Sequence, residues 1–197
     1  MRALMNILQH LNKLKNNLMF NFKLIIVMKK FILLFACLSI LSASYAEEYC
    51  NMGFCFELGK GFKAWPRLDE NQQPVSILVN KGMFTSMQIN KNFQPELNLE
   101  EKVNFLKKRL DKAMYEQTKN TTVFYNIKFS EDEENLGMIK AYCLTGLVKM
   151  GFGATQYKFF LFERDGIPYC VEFSTPGGTK GFEKAFRALI DSFYMLQ

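Results

Sequence analysis

The feature that most restricts the fold is the run from Ala154 to Phe193, which reads as strand, tight turn, strand, glycine-rich loop and amphipathic helix. Its turn is Asp165-Gly166, a pairing suited to the positive φ angles of a two-residue type I′ hairpin. A hairpin folded there sets Phe162 opposite Tyr169, Phe160 opposite Val171 and Lys158 opposite Phe173. Those side chains share one face, because side chains alternate along a strand. After Gly177-Gly178, the residues Phe182, Ala185, Phe186, Leu189, Ile190 and Phe193 recur at spacings of three and four, a single apolar stripe. An aromatic sheet face and a helix bearing three phenylalanines bury each other. That docking is the expected core.

The charge balance, 25 Lys+Arg against 19 Asp+Glu, suggests a nucleic-acid partner only until the chain is divided. Every acidic residue lies at or after Glu47, while the first 46 residues hold Arg2, Lys13, Lys15, Lys23, Lys29 and Lys30. Beyond Ala46 the positive and negative residues number 19 each, so no nucleic acid is expected as a partner. The basic segment reads as a secretory leader. Met28-Lys29-Lys30 is a short positive start, Phe31 to Leu41 an apolar run, and Ser42 to Ala46 a small-residue cleavage region. The run is shorter than the roughly 20 residues of a membrane-spanning helix. Residues 1–27 therefore read as an over-extended amino terminus, 28–46 as a signal peptide, and 47–197 as one exported domain, periplasmic or secreted. Three alternatives compete: an uncleaved anchor over residues 24–41, interrupted by Lys29 and Lys30, a lipoprotein box at Leu34-Phe35-Ala36-Cys37, and a purely buried helix. Contact with a membrane is expected only through an uncleaved leader.

Along the domain, Phe54 to Leu58 alternates as a strand and runs into Gly59-Lys60-Gly61-Phe62. Trp65-Pro66 and the polar Asp69 to Pro74 read as a loop. Strands follow at Val75 to Val79 and Met83 to Ile89. Asn98, with Glu101 three residues on, opens a helix with a capping box. Leu99, Val103, Leu106, Leu110 and Met114 form its apolar stripe, and it should end near Lys119-Asn120. Val123 to Phe129 alternates as a strand, Glu131 to Asn135 reads as an acidic loop, and Met138 to Met150 as a long strand. The order of strands, helix, four neighbouring antiparallel strands and helix gives an α+β fold, a meander covered by two amphipathic helices. A tight Gly151–Gly153 turn places Cys143 near Leu161, with Cys170 on the far side of Leu161. Two strand spacings, about 9.5 Å, exceed the roughly 7 Å between Cα atoms that a disulfide tolerates. No Cys143–Cys170 bond is expected.

The chemistry-bearing residues are sparse. The one histidine, His10, lies in the leader, which removes Ser-His-Asp, Cys-His and histidine-metal chemistry from the domain. Cys50, Cys55, Cys143 and Cys170 form an even set in an exported chain. They allow either two disulfides or four buried thiols, and Cys50 and Cys55 are close enough in sequence to close a small loop. Glu131 to Glu134 offers carboxylates but lacks the spacing of a calcium loop, and reads better as a solvated loop. Gly177, Gly178, Thr179 and Lys180 open a helix and are a weak candidate for holding an anion. They depart from the phosphate-loop pattern because Lys180 is followed by glycine, which favours an ordinary strand-to-helix connection. Asn120-Thr121-Thr122 is a glycosylation sequon. No catalytic residue, metal ligand or cofactor site is assigned.

The segment Phe54 to Phe62, with Tyr169-Cys170-Val171-Glu172-Phe173-Ser174-Thr175-Pro176 and the helix after it, resembles the PsbP-like superfamily. That superfamily includes the extrinsic P subunit of photosystem II and DcrB-type bacterial envelope proteins. Gly59 stands in place of the family's usual proline and Phe62 in place of its tryptophan. The resemblance implies an antiparallel sheet between helices, used as a binding or assembly module, and transfers no catalytic residue. The leading expectation is thus a non-enzymatic envelope protein whose partner is another envelope protein. The alternatives are a carrier whose phenylalanines and methionines line an apolar tunnel, and an enzyme built on carboxylates.

Overall fold

The Asp165-Gly166 turn adopts left-handed φ angles of 53° and 72°. In this computed structural model it joins two long strands in the expected register, Phe162 to Tyr169, Phe160 to Val171 and Lys158 to Phe173. Residues 47–151 and 153–196 are described; the expected signal peptide, with the cut expected after Ala46, lies outside them. The described elements are β1 (Glu47–Asn51), β2 (Phe54–Leu58), β3 (Lys63–Leu68), β4 (Pro74–Lys81), β5 (Thr85–Lys91) and α1 (Leu99–Thr118). They continue as β6 (Tyr125–Leu136), β7 (Ile139–Met150), β8 (Gly153–Arg164), β9 (Ile167–Pro176), α2 (Gly178–Asp191) and β10 (Tyr194–Met195).

Seven strands form one antiparallel sheet in the order β3-β4-β5-β9-β8-β7-β6, and β1-β2-β10 form a second, smaller one. The fold is α+β, with the two helices on opposite faces of the large sheet. Under α2, Phe182, Phe186 and Leu189 join Phe160, Val171 and Phe173 of the hairpin and Ile77, Val79, Met87 and Ile89 of β4 and β5. The ring of Phe173 meets Phe182 at 6.0 Å and Phe186 at 5.0 Å, both edge-to-face. The small sheet closes the same layer, with Phe56 stacked on Phe193 at 5.1 Å and Phe54 edge-on to Tyr169 at 5.0 Å. On the other face, Val103, Leu106, Leu110 and Met114 of α1 pack on Leu144, Val148, Phe159, Leu161 and Cys170. The Asn98 side chain accepts from the Glu101 amide, and the Glu101 carboxylate accepts from the Asn98 amide, closing the α1 capping box.

Four expectations are corrected. Trp65 and Pro66 belong to strand β3 rather than a loop; β3 is the sheet's edge, where a proline is tolerated. The acidic run Glu131 to Asn135 is likewise strand, paired along its length with β7 from Glu131–Leu144 to Asn135–Lys140. Its charge does not prevent pairing because β6 is the other edge, and charged side chains there discourage further strand addition. The third strand begins at Thr85 instead of Met83. Finally, Met150 pairs with Gly153, which shortens the turn by a residue and sets Tyr142 opposite Leu161 and Cys143 opposite Phe160. One step of register moves a side chain through the sheet. Cys143 therefore lies in the α2 layer and Cys170 in the α1 layer, both as free thiols.

Replacing Phe186 with alanine empties the centre of the α2 layer and should cost about 3–5 kcal/mol of unfolding free energy, measurable by denaturant titration. Gly137 (φ 58°) turns β6 into β7 where an added Cβ would lie 1.8 Å from the Phe193 carbonyl oxygen. Gly137→Ala should therefore lower stability by more than the roughly 1 kcal/mol of a strained backbone alone, read as a fall in thermal midpoint.

Candidate functional site

Alternation along β6 distributes its carboxylates to both faces of the sheet. Glu131 points to the α1 side, where Lys107 and the Tyr142 hydroxyl both donate to it. Glu134 points to the α2 side and accepts from Lys158 at 2.6 Å. Lys158 lies under the helix with its side chain only 13% exposed, its ammonium 5.5 Å from the Phe182 ring. Between the edges, Glu172 of β9 accepts from Arg109 at 2.6 Å and from Asn90 at 3.1 Å, and Gln88 donates to Asn90 at 2.7 Å.

The hydrogen bonds and burial around these groups shift their proton affinities. The hydrogen bonds from Lys107 and Tyr142 hold the Glu131 carboxyl below its ordinary value. The same bond to Glu131, with burial second, raises the Tyr142 phenol to about 12. Burial, then the nearby Glu134 charge, raises the Cys143 thiol to about 12. Cys170 is raised well above an ordinary thiol by burial and then by Glu172. Thiols so shifted stay protonated near neutrality, and the protonated form is a poor nucleophile.

The cysteines Cys50 and Cys55 face each other across β1 and β2 as a disulfide, with Cα atoms 4.2 Å apart. Glu48 stands near both sulfurs, but the sulfurs are committed to each other and the carboxylate accepts from the Tyr194 hydroxyl at 2.6 Å. Gly177 precedes α2 with a φ of 91°, its amide bound to the Ala154 carbonyl at 2.8 Å. Gly178 is buried while Thr179 and Lys180 are exposed, and Gly181 packs so close to Pro176 that a side chain there would meet its carbonyl at 2.3 Å. The run is thus shaped for a tight strand-to-helix joint. No described element brings it together with the disulfide or the β6 carboxylates.

Two grooves flank the first half of α1 and share Leu99 and Tyr142. One, about 430 Å³, lies toward the β8–β9 turn and is lined by Leu97, Lys102, Phe162, Glu163 and Tyr169 among others. The other, about 500 Å³, includes Asn104, Lys107 and Glu131. Beyond α1, no described helix covers the same face of the sheet, on which Ser76 is buried and Leu78, Asn80, Ser86, Gln88 and Asn90 are half-buried. Its buried contacts with α1 come from β7, β8, β9 and Phe93, and none from β3, β4 or β5. That face presents Leu78 and Asn80 of β4 and Ser86, Gln88 and Asn90 of β5, with Trp65 and Arg67 at its edge. Trp65 is 48% exposed. The Trp65-Pro66 pair reads locally as a loop, which hides this surface in the sequence; the signal that reveals it is alternation, with Ala64 and Pro66 facing one way and Trp65 and Arg67 the other.

No protein-family model and no curated protein matches this chain. Solved structures do show partial similarity. A protein of Bacteroides thetaiotaomicron VPI-5482 is 10% identical with a TM-score of 0.45, over 78% of this chain and 50% of that one. This chain thus spans about half the length of the Bacteroides protein. The Saccharomyces cerevisiae Ran-binding protein Mog1p is 10% identical with a TM-score of 0.46, over 77% of this chain and 95% of its own. Mycobacterium tuberculosis LpqN, involved in cell envelope biogenesis, is 8% identical with a TM-score of 0.39, over 79% and 87%.

Tyr142 gives a titration test. Because its folded pKa is raised from 10.0 to about 12, its stabilising contribution is complete below pH 10 and is lost as pH rises toward 12. Glu131→Gln removes the charged acceptor, so ultraviolet titration of the phenol should move back toward 10. An unchanged titration would show that Glu131 is not the cause.

Proposed function

We propose that the chain is an exported, non-enzymatic envelope protein that binds a protein partner through the face of β3, β4 and β5 beyond α1. The observation that carries this reading is Trp65. It is a large aromatic held half in solvent on a rigid edge strand, next to Arg67 and a row of amide and hydroxyl side chains. Tryptophan and arginine are the residues most often found at the energetic centres of protein interfaces, surrounded by polar groups that fit after desolvation. Pro66 lacks a backbone donor, which supports recognition through the face in preference to strand addition along the edge. The Glu172–Arg109 pair anchors the inner margin of the surface to α1 and holds the Asn90 and Gln88 amides in one orientation.

Export rests on the leader pattern of residues 28–46 and on the balanced charge beyond it. The PsbP-like resemblance, with its binding and assembly roles, agrees with the same reading. The carrier alternative is less supported, because the phenylalanines are spent on one another. Phe54, Phe56, Phe160, Phe173, Phe182, Phe186 and Phe193 are all fully buried among neighbouring rings.

A photo-crosslinking amino acid at position 65, compared with one at the exposed Lys184 on α2, tests the surface in the native envelope. A discrete adduct at 65 and none at 184 is the expected result; equal labelling at both would dismiss the face as the binding site. Against the partner so captured, Trp65→Ala should lose about 2 kcal/mol of binding, roughly thirtyfold in affinity, with no fall in thermal midpoint.

A further inference from the structure

A different surface, at one end of the large sheet, combines exposed apolar loop tips with unopposed positive charge. The β4–β5 turn projects Met83 (87% exposed) and Phe84 (71% exposed). Both line a groove of about 470 Å³ with Gln117, Met150, Thr155 and Pro176, which joins this turn to the end of α1 and the ends of β7 and β9. Across Met150, its register partner Tyr125 begins β6, and the residue before it, Phe124, is 90% exposed. Two aromatic tips therefore stand at the same end of the molecule on either side of the β7–β8 turn. Nothing in the fold requires either of them to be apolar.

The charges divide the same way. The segments that form this end, residues 80–86, 115–125, 148–151, 153–156 and 174–181, carry Lys81, Lys119, Lys149 and Lys180 against the single acid Glu116. Glu116 is paired with Lys119, while Lys81, Lys149 and Lys180 have no ion pair among the described residues. The opposite end, residues 67–73, 91–101, 133–140 and 163–168, holds nine acidic and four basic residues. The described domain is electrically polar along its strands; its positive end exposes the aromatic rings of Phe84 and Phe124, and its acidic end exposes the aliphatic side chains of Leu68, Leu99 and Met138.

We propose that this end docks on an anionic lipid surface, with Phe84, Met83 and Phe124 entering the interface and the lysines lying over lipid phosphates. The chemistry selects a membrane over a protein groove. Aromatic and methionine side chains at separated loop tips, on segments that also carry Lys81 and Lys119, match an interface that is apolar within and negatively charged at its surface. The acidic pole is repelled by the same surface, which orients the sheet end-on. No described helix is long and apolar enough to cross a membrane, and the contact is one of loops. It adds a lipid contact within the domain itself, beyond the leader, and is independent of the partner face at Trp65.

The test uses the full chain, in which Trp65 is the one tryptophan. In a Trp65→Phe background, a single reporter is placed at either pole as Phe124→Trp or Met138→Trp, both at exposed positions. Each protein is mixed with vesicles of phosphatidylcholine and phosphatidylglycerol bearing brominated acyl chains. The expected result is a blue shift and quenching at position 124 and neither at position 138. Changing Lys81, Lys149 and Lys180 to glutamate should weaken that quenching by roughly fivefold or more per residue. Equal quenching at both positions, no quenching at 124, or quenching indifferent to the lysine changes would overturn the proposal. A blue shift at 124 that grows with protein concentration in the absence of vesicles would also overturn it, by assigning the end to a second copy of the chain.

Discussion

The docking of α2 onto the β8–β9 hairpin is the interaction on which the remaining structure depends. Phe173 receives Phe182 and Phe186 edge-on, and around that contact the small sheet, β4, β5 and β7 add their own buried side chains. The geometry follows from two periodicities meeting. A strand presents every second residue to one face and a helix presents every third or fourth, so Phe160, Val171 and Phe173 align against a single helical stripe. Aromatic rings contribute large buried area and prefer tilted contacts, which fills the layer with few rotamer choices. Because Phe193 continues the stripe and stacks on Phe56, the helix also places the carboxyl-terminal β10 against β2.

Once that layer is set, the second face becomes the variable one. The helix α1 packs over β6 to β9, and among the described residues its cluster includes none from β3, β4 or β5. Covered and uncovered regions differ in chemistry as they must: Leu144, Phe159 and Leu161 lie under the helix, and Ser86, Gln88 and Asn90 lie beside it. The ion pairs follow the same division. Glu131 and Glu134 are three residues apart on one strand yet serve lysines on opposite sides of the sheet, so the acidic run acts as a pair of braces. Glu131, Glu133 and Glu134 are each paired with a lysine, and the buried thiols of Cys143 and Cys170 are kept in their protonated form by the packing on either side.

The proposed surfaces are far less legible in the sequence than the fold. The hairpin register, both helices and the α1 cap were read from local patterns, since turn chemistry and apolar spacing each report on a few neighbouring residues. The proline beside Trp65 reads as a break in the chain, and only the pairing of β3 with β4 shows the tryptophan on an edge strand. Phe84 and Phe124 are forty residues apart in sequence; that they flank one end of the sheet depends on the ladder through β9, β8 and β7. The separation of charge into two poles has the same origin, because each pole gathers separate segments of a domain that beyond Ala46 holds 19 residues of each sign.

By itself, the sequence determined the α+β class, the antiparallel hairpin about Asp165-Gly166, the two amphipathic helices and the separation of two cysteines that do not bond. These are set by interactions within one element or between consecutive ones. Only the tertiary structure decided that Cys143 and Cys170 lie on opposite faces, that the acidic run is an edge strand, and which side chains the sheet leaves in solvent. Those outcomes hinge on a single step of register in the β7–β8 turn and on how far α1 reaches across the sheet. Both arise from the mutual packing of distant segments, for which no local pattern exists.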